Sequence, residues 1–169
     1  MHSVLAFLRL GRDNFRMASA QVTRGLLAPI DFSELSKHAL SLADRLAVER
    51  QAVLTVMHVH PIVQTTFMDM TYTEPPEKLA ESLRTLEDQL DAWATELKTP
   101  AERIVRKVVM GTPVEQITQE SSSHGLLVIS THGRTGLSHF LMGSVAERVV
   151  RSARCAVLVV KRDQHPHML

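Results

Sequence analysis

The chain has 169 residues, 44% apolar and 22% charged, enough to bury one substantial core in a single domain. Lys and Arg number 19 against 18 Asp and Glu, and the net charge of +1 excludes the basic field expected of a nucleic-acid binder or a polybasic membrane protein. The single cysteine, Cys155, excludes an intrachain disulfide and fits a reducing compartment, so a cytoplasmic location is expected.

The run Val4-Leu5-Ala6-Phe7-Leu8 is short and interrupted by Arg9, which makes a poor secretory signal. Residues 1–23 are therefore expected to be an extension outside the core, with Met17 a second possible start. Gly25-Leu26-Leu27-Ala28-Pro29-Ile30 is a continuous apolar run, as a strand buried on both faces requires. Asp31 or Ser33 can cap the helix that follows, which carries Leu35, Ala39, Leu42, Ala43 and Leu46 on one side. Residues 52–59 are rich in β-branched side chains and give a second strand.

Residues 61–76 hold three prolines and no period, so they read as a loop. Leu79, Leu83, Leu86, Leu90, Trp93 and Leu97 then step by four and three through a long amphipathic helix. Covering a sheet is its preferred use, since about three heptads make a short coiled coil. Ile104 to Met110 is a third strand ended by Gly111. Thr112-Pro113-Val114-Glu115 next supplies a cap, a first-turn proline and a capping-box glutamate. Residues 126–129 form a fourth strand, 144–153 a further helix and Ala156 to Val160 a fifth strand, with Cys155 a small buried hydrophobe beside it. No stretch approaches the roughly 18 apolar residues of a membrane span.

Alternating strands and helices with short connections demand parallel strands. The expected fold is α/β: a single doubly wound domain over 24–162, with a five-stranded parallel sheet in order 3-2-1-4-5, helices on both faces, and 163–169 as a tail.

Ligands of such sheets sit beyond the carboxyl ends of the strands. There the sequence offers Pro29-Ile30-Asp31, His58-Val59-His60, and Ser130-Thr131-His132-Gly133-Arg134-Thr135-Gly136, continuing to Gly143-Ser144. Gly133 and Gly136 allow close approach of main-chain amides, and Gly143-Ser144 opens a helix whose free N–H groups suit phosphate. Equally, Ser144 and Glu147 can form a capping box and the glycines can simply turn the chain. On local chemistry alone the two readings are even. A P-loop, a dinucleotide fingerprint and a hydrolase elbow are all absent from the sequence. His58 and His60 could point one way along a strand, but no Cys or carboxylate completes a metal set, so no metal site is expected. His132 lies within the loop, where it could orient backbone or ligand.

The segment from Val128 to Lys161, V-I-S-T-H-G-R-T-G-L-S-H-F-L-M-G-S-V-A-E-R-V-V-R-S-A-R-C-A-V-L-V-V-K, resembles the signature end of the universal stress protein family. L-A-P-I-D-F-S-E and the H-V after the second strand resemble its other characteristic places. ATP-binding members carry G-x2-G-x9-G-[S/T]; Gly133, Gly143 and Ser144 match it, and Ser130 replaces the first glycine. The resemblance implies ATP as ligand, with Pro29, Asp31 and Val59 on the adenine and ribose side; Ile30 is a further candidate from the same strand end, and Mg2+ or Mn2+ could accompany the triphosphate. The resemblance places Gly133, Gly143, Ser144 and Val145 at ribose and phosphates. Read from the loop's own residues, the Ser130 hydroxyl could reach ribose or phosphate, Gly136 could let an amide approach beside His132, and Arg134 is either a phosphate counter-charge or a solvated loop arginine. The terminal strand within 155–161 would leave an apolar sheet edge that invites a homodimer, also the arrangement the resemblance implies, unless a helix or the 162–169 tail covers it.

Fast ATP hydrolysis is not expected, because Asp31 is the one acid near the site and no Walker lysine exists. Three functions remain: a nucleotide-responsive stress or regulatory protein, a dimeric interaction protein that has lost the nucleotide, and a slow ATPase. Retained Gly133, Gly143 and Ser144 favour the first, and Ser130 favours the second.

Overall fold

The computed structural model describes residues 25–62, 65–67, 70–72, 75–131 and 142–161. Leu26–Ile30 forms β1, and burial of all five residues explains why no polar alternation marks it. Helix α1, Glu34–Arg50, follows; Ser33 is its cap, with Oγ accepting from Ser36 N at 3.2 Å. Leu54–His60 is β2. A small antiparallel hairpin, β3 (Thr65–Phe67) and β4 (Met70–Tyr72), then stands where the sequence reads as a loop. Three residues per strand are too few for a two-residue alternation to declare itself. Helix α2 (Pro76–Thr95), β5 (Ile104–Met110), α3 (Pro113–Ser121), β6 (Leu126–Ser130), α4 (Ser144–Ser152) and β7 (Ala156–Val160) complete the order.

The main sheet runs β5-β2-β1-β6-β7, all parallel, which is the order 3-2-1-4-5 counted over its own five strands. Side chains alternate across it. Leu26, Ala28 and Ile30 join Ala39, Leu40 and Ala43 of α1 and Leu90 and Ala94 of α2 in one core. Leu27, Met57 and Ile129 join Ile117 of α3 and Val149 of α4 in the other. The single-period apolar runs of the sequence thus feed two layers at once.

Only Leu90 and Ala94 of α2 are fully buried, while Leu79, Leu83 and Leu86 are half-covered. A 20-residue helix is about 30 Å long and outruns seven-residue strands of about 23 Å, so it cannot lie on the sheet along its whole length. On the edge strand β5 neighbouring charges reach opposite layers. Arg106 pairs with Asp91 of α2 at 3.1 Å, and Lys107 with Glu120 of α3 at 2.7 Å. Such half-exposed pairs add little stability, but charge on an edge discourages pairing with another chain.

Gly111, at the end of β5, has φ +139, a region closed to most side chains, and a Cβ there would meet Gln116 Nε2 at 2.9 Å. The sharp exit it allows brings Pro113, the first residue of α3, to the carboxyl edge of the sheet.

Candidate functional site

Strand order reverses between β1 and β6, and their carboxyl ends open on one crevice. A cavity of about 290 Å³ lies there. Pro29, Ile30 and Asp31 line it from β1 and its exit, and Met57, His58 and Val59 from β2. Ile129, Ser130 and Thr131 line it from β6, Pro113 and Ile117 from α3, and Gly143, Ser144, Val145 and Ala146 from the start of α4.

The structure brings eight residues singled out in the sequence to this one cavity: Pro29, Ile30, Asp31, Val59, Ser130, Gly143, Ser144 and Val145. His132, Gly133, Arg134 and Gly136 lie outside the described residues. His58 and Thr131, also in the lining, belong to strand-end segments the sequence offers without a ligand role; Met57, Ile129, Ala146, Pro113 and Ile117 are not singled out there at all. The last two were findable. In a doubly wound sheet every helix starts at the ligand end, so the Thr112-Pro113 start belonged on the list of candidate segments.

Three helices start around the crevice, and they differ in electrostatics. At α1 the positive end is answered from within. Asp31 Oδ1 accepts from Ser33 N at 3.1 Å and Ser33 Oγ at 2.6 Å, and Ser33 in turn caps the helix. At α3, Thr112 is the cap residue but its side chain bonds no amide, and Pro113 brings no N–H. At α4 the cap is Gly143, with no side chain to offer.

The capping boxes expected at Thr112/Glu115 and Ser144/Glu147 are therefore not formed. Ser144 is already the first helical residue, one position too late to cap, and Glu147 pairs with Arg151 at 3.0 Å instead. Glu147 N donates to Gly143 O at 2.9 Å. The N–H groups of Ser144, Val145 and Ala146 find no acceptor among the described residues, and all three residues line the cavity.

The base of the glycine-rich segment is tied down. Thr131 N donates to Val160 O at 2.9 Å, and Gly143 N donates to Thr131 O at 2.7 Å, so Thr131 and Gly143 are held side by side. Gly143 itself has φ −60, which any residue adopts. His58 is buried, and its Nδ1 lies 2.9 Å from Ile30 O; a carbonyl only accepts, so Nδ1 carries the proton. Among the described residues no three His, Cys, Asp or Glu gather as a metal set, and no helix is long and apolar enough to cross a membrane.

These features define a doubly wound α/β domain with a ligand-sized crevice at its switch point. The model of the universal stress protein family matches residues 23–161, and the chain belongs to that family. It is 31% identical over 148 residues to a universal stress protein of Methanocaldococcus jannaschii, covering 82% of this chain and 82% of the relative. A relative from Mycobacterium tuberculosis is 29% identical over 82% of this chain, which spans only 45% of that protein's length. Among solved structures, the universal stress protein UspA from Lactobacillus plantarum superposes with a TM-score of 0.61 at 22% identity, over 82% of this chain and 97% of that one. A universal stress protein solved in complex with cAMP matches with a TM-score of 0.53 at 23% identity, over 81% and 95%.

Proposed function

We propose that the crevice holds an adenine nucleotide, ATP first among them, and that the protein is a stress-response regulator whose bound nucleotide sets its conformation or its choice of partner. The observation that carries this reading is the bare start of α4. Its amides at Ser144, Val145 and Ala146 have no acceptor among the described residues and belong to the wall of the cavity. Amide donors with a positive helix end suit phosphate oxygens. Base and ribose would lie against Pro29, Ile30, Asp31 and Val59, with Ser130, Ser144 Oγ and the His132, Gly133, Arg134 and Gly136 segment toward the phosphates. The cavity of about 290 Å³ is near the lower bound of roughly 300 Å³ for small-molecule sites. The relative solved with cAMP supports an adenine nucleotide as the class of ligand.

Turnover would be slow at most. Asp31 is the one acid lining the cavity among the described residues, and Ser33 already engages its Oδ1. A Mg2+ or Mn2+ ion would be held chiefly by the phosphates themselves.

The test is a thermal-shift titration with ATP, ADP, AMP and GTP, with and without magnesium. Stability should rise with adenine nucleotide concentration by mass action, and Gly143→Val should abolish the rise. Since φ at Gly143 suits valine, loss of the shift with an unchanged unliganded midpoint would mark the binding surface rather than the fold. A flat response to all four nucleotides would refute the reading.

A second reading, a homodimeric interaction protein, is favoured by β7. This edge strand, Ala156–Val160, is entirely apolar, whereas the opposite edge carries Arg106 and Lys107. Pairing of β7 with its symmetry mate would bury the bare edge. Sedimentation should then give twice the 18.9 kDa chain mass, with or without nucleotide. A cytoplasmic site of action and a domain spanning 24–162 complete the proposal.

A further inference from the structure

A second cavity of about 290 Å³ lies in the other layer, between α1 and the end of α2, and shares no residue with the crevice. Leu40, Leu97 and the half-buried Trp93 give it an apolar wall. Three cations (Lys37, Arg45, Lys98) and two acids (Asp44, Glu96) surround that wall.

Both acids are already answered. Asp44 is 5% exposed; its Oδ1 accepts from Thr99 N at 2.8 Å and Thr99 Oγ1 at 2.7 Å, and its Oδ2 from Lys98 N at 2.9 Å. Glu96 pairs with Lys37 at 2.9 Å, and Lys37 Nζ lies 5.5 Å from the Trp93 ring centroid. The Arg45 guanidinium and the Lys98 ammonium make no ion pair among the described residues. Saturated acids beside spare cations favour an anion, and an indole with two leucines favours a flat apolar body.

We infer that this cavity is a second ligand site, selective for a small carboxylate with a flat apolar body. Arg45 and Lys98 meet the carboxylate, and Trp93 and Leu97 meet the ring. A cation would be repelled. A neutral isostere would forgo the charge-assisted bonds that supply most of the selectivity.

Trp93 is the one tryptophan of the chain, so intrinsic fluorescence reports on this cavity directly. The full chain is titrated with benzoate, benzamide and benzylamine. Benzoate should shift Trp93 emission saturably, with the other two at least roughly tenfold weaker, the ratio that one charge-assisted bond supplies. The double variant Arg45→Gln/Lys98→Gln should weaken benzoate by about the same factor. Both side chains are exposed, so its thermal midpoint should not move, and Arg45→Lys/Lys98→Arg should restore binding. Equal responses to the three compounds, a merely linear quench, or unchanged benzoate affinity in the double Gln variant would each overturn the inference. None of these readouts involves a nucleotide, so the crevice proposal stands or falls separately.

Discussion

The ring of Phe32 meets Trp93 edge-on, centroids 5.3 Å apart, from a backbone held in the left-handed region at φ 61. On its other side it faces the crevice histidine, His58, at 4.7 Å. A left-handed backbone costs a side-chain-bearing residue about 1–2 kcal/mol, and each aromatic pair returns about 0.5–1.5 kcal/mol beyond its burial. The rings outweigh the strain. Phe32→Gly and Phe32→Ala should therefore both destabilise, and alanine, which keeps the strain, should be the worse by about 1 kcal/mol. Urea unfolding of the three proteins measures the order. An alanine variant more stable than the glycine one would show that the backbone is not strained.

Asp44 holds the chain between α2 and β5 through two peptide N–H groups and the Thr99 hydroxyl. Asp44→Ala strands the buried Thr99 N–H and the half-buried Lys98 N–H, at about 1–3 kcal/mol for each left without water, while the Thr99 hydroxyl keeps the main-chain oxygen of residue 44 at 3.4 Å. A loss of at least about 2 kcal/mol is expected by chemical denaturation. Asp44→Asn keeps one acceptor oxygen and should fall between that variant and the parent.

Thr118 Oγ1 is buried without a hydrogen-bond partner among the described residues. Its hydroxyl was desolvated on folding and nothing replaced the water. Thr118→Val keeps the shape and removes the orphan, so stability should stay level or rise by up to about 1 kcal/mol. A clear loss in thermal melting would mean that the hydroxyl is satisfied in solution.

Burial pushes the Cys155 thiol up from its usual 9.0 to about 11, against a smaller lowering by a backbone hydrogen bond with Leu127. The thiolate is the reactive form, so alkylation at pH 8 should be far slower than in the urea-unfolded chain. Between pH 9 and 11 the native state keeps a proton that the unfolded state releases. Stability should therefore be intact below that window and decline through it, and Cys155→Ala should flatten the decline.

The architecture was legible in the sequence because both-face burial leaves continuous apolar runs such as Leu26–Ile30. The Gly111 exit was equally plain. The hairpin at 65–72 was not, being shorter than its own period needs. At the crevice, Pro29, Asp31 and Ser144 were found from strand ends and a helix start, but which residue caps α4 was misjudged by one position. Capping depends on where the first helical turn closes, and Gly143-Ser144 allows either choice until Glu147 N settles on Gly143 O. Pro113 and Ile117 follow from topology alone: their helix starts at the ligand end like every other, but its strand, β5, is at the far edge and no local motif marks their nearness to Ser130.

The first strand of the chain lies in the middle of the sheet, with Leu26 opposite Leu54 on one side and Leu126 on the other. A ribosome delivers those neighbours unequally. β2 begins 24 residues after β1 ends, about 1–5 seconds at roughly 5–20 residues per second, whereas β6 begins a further 72 residues on, about 4–14 seconds later still. Throughout that interval the growing polypeptide shows one raw flank of its innermost strand to the cell. The half-made protein is thus at its stickiest just before Leu126 appears, and truncations ending between β5 and β6 should be the forms that chaperones bind most avidly.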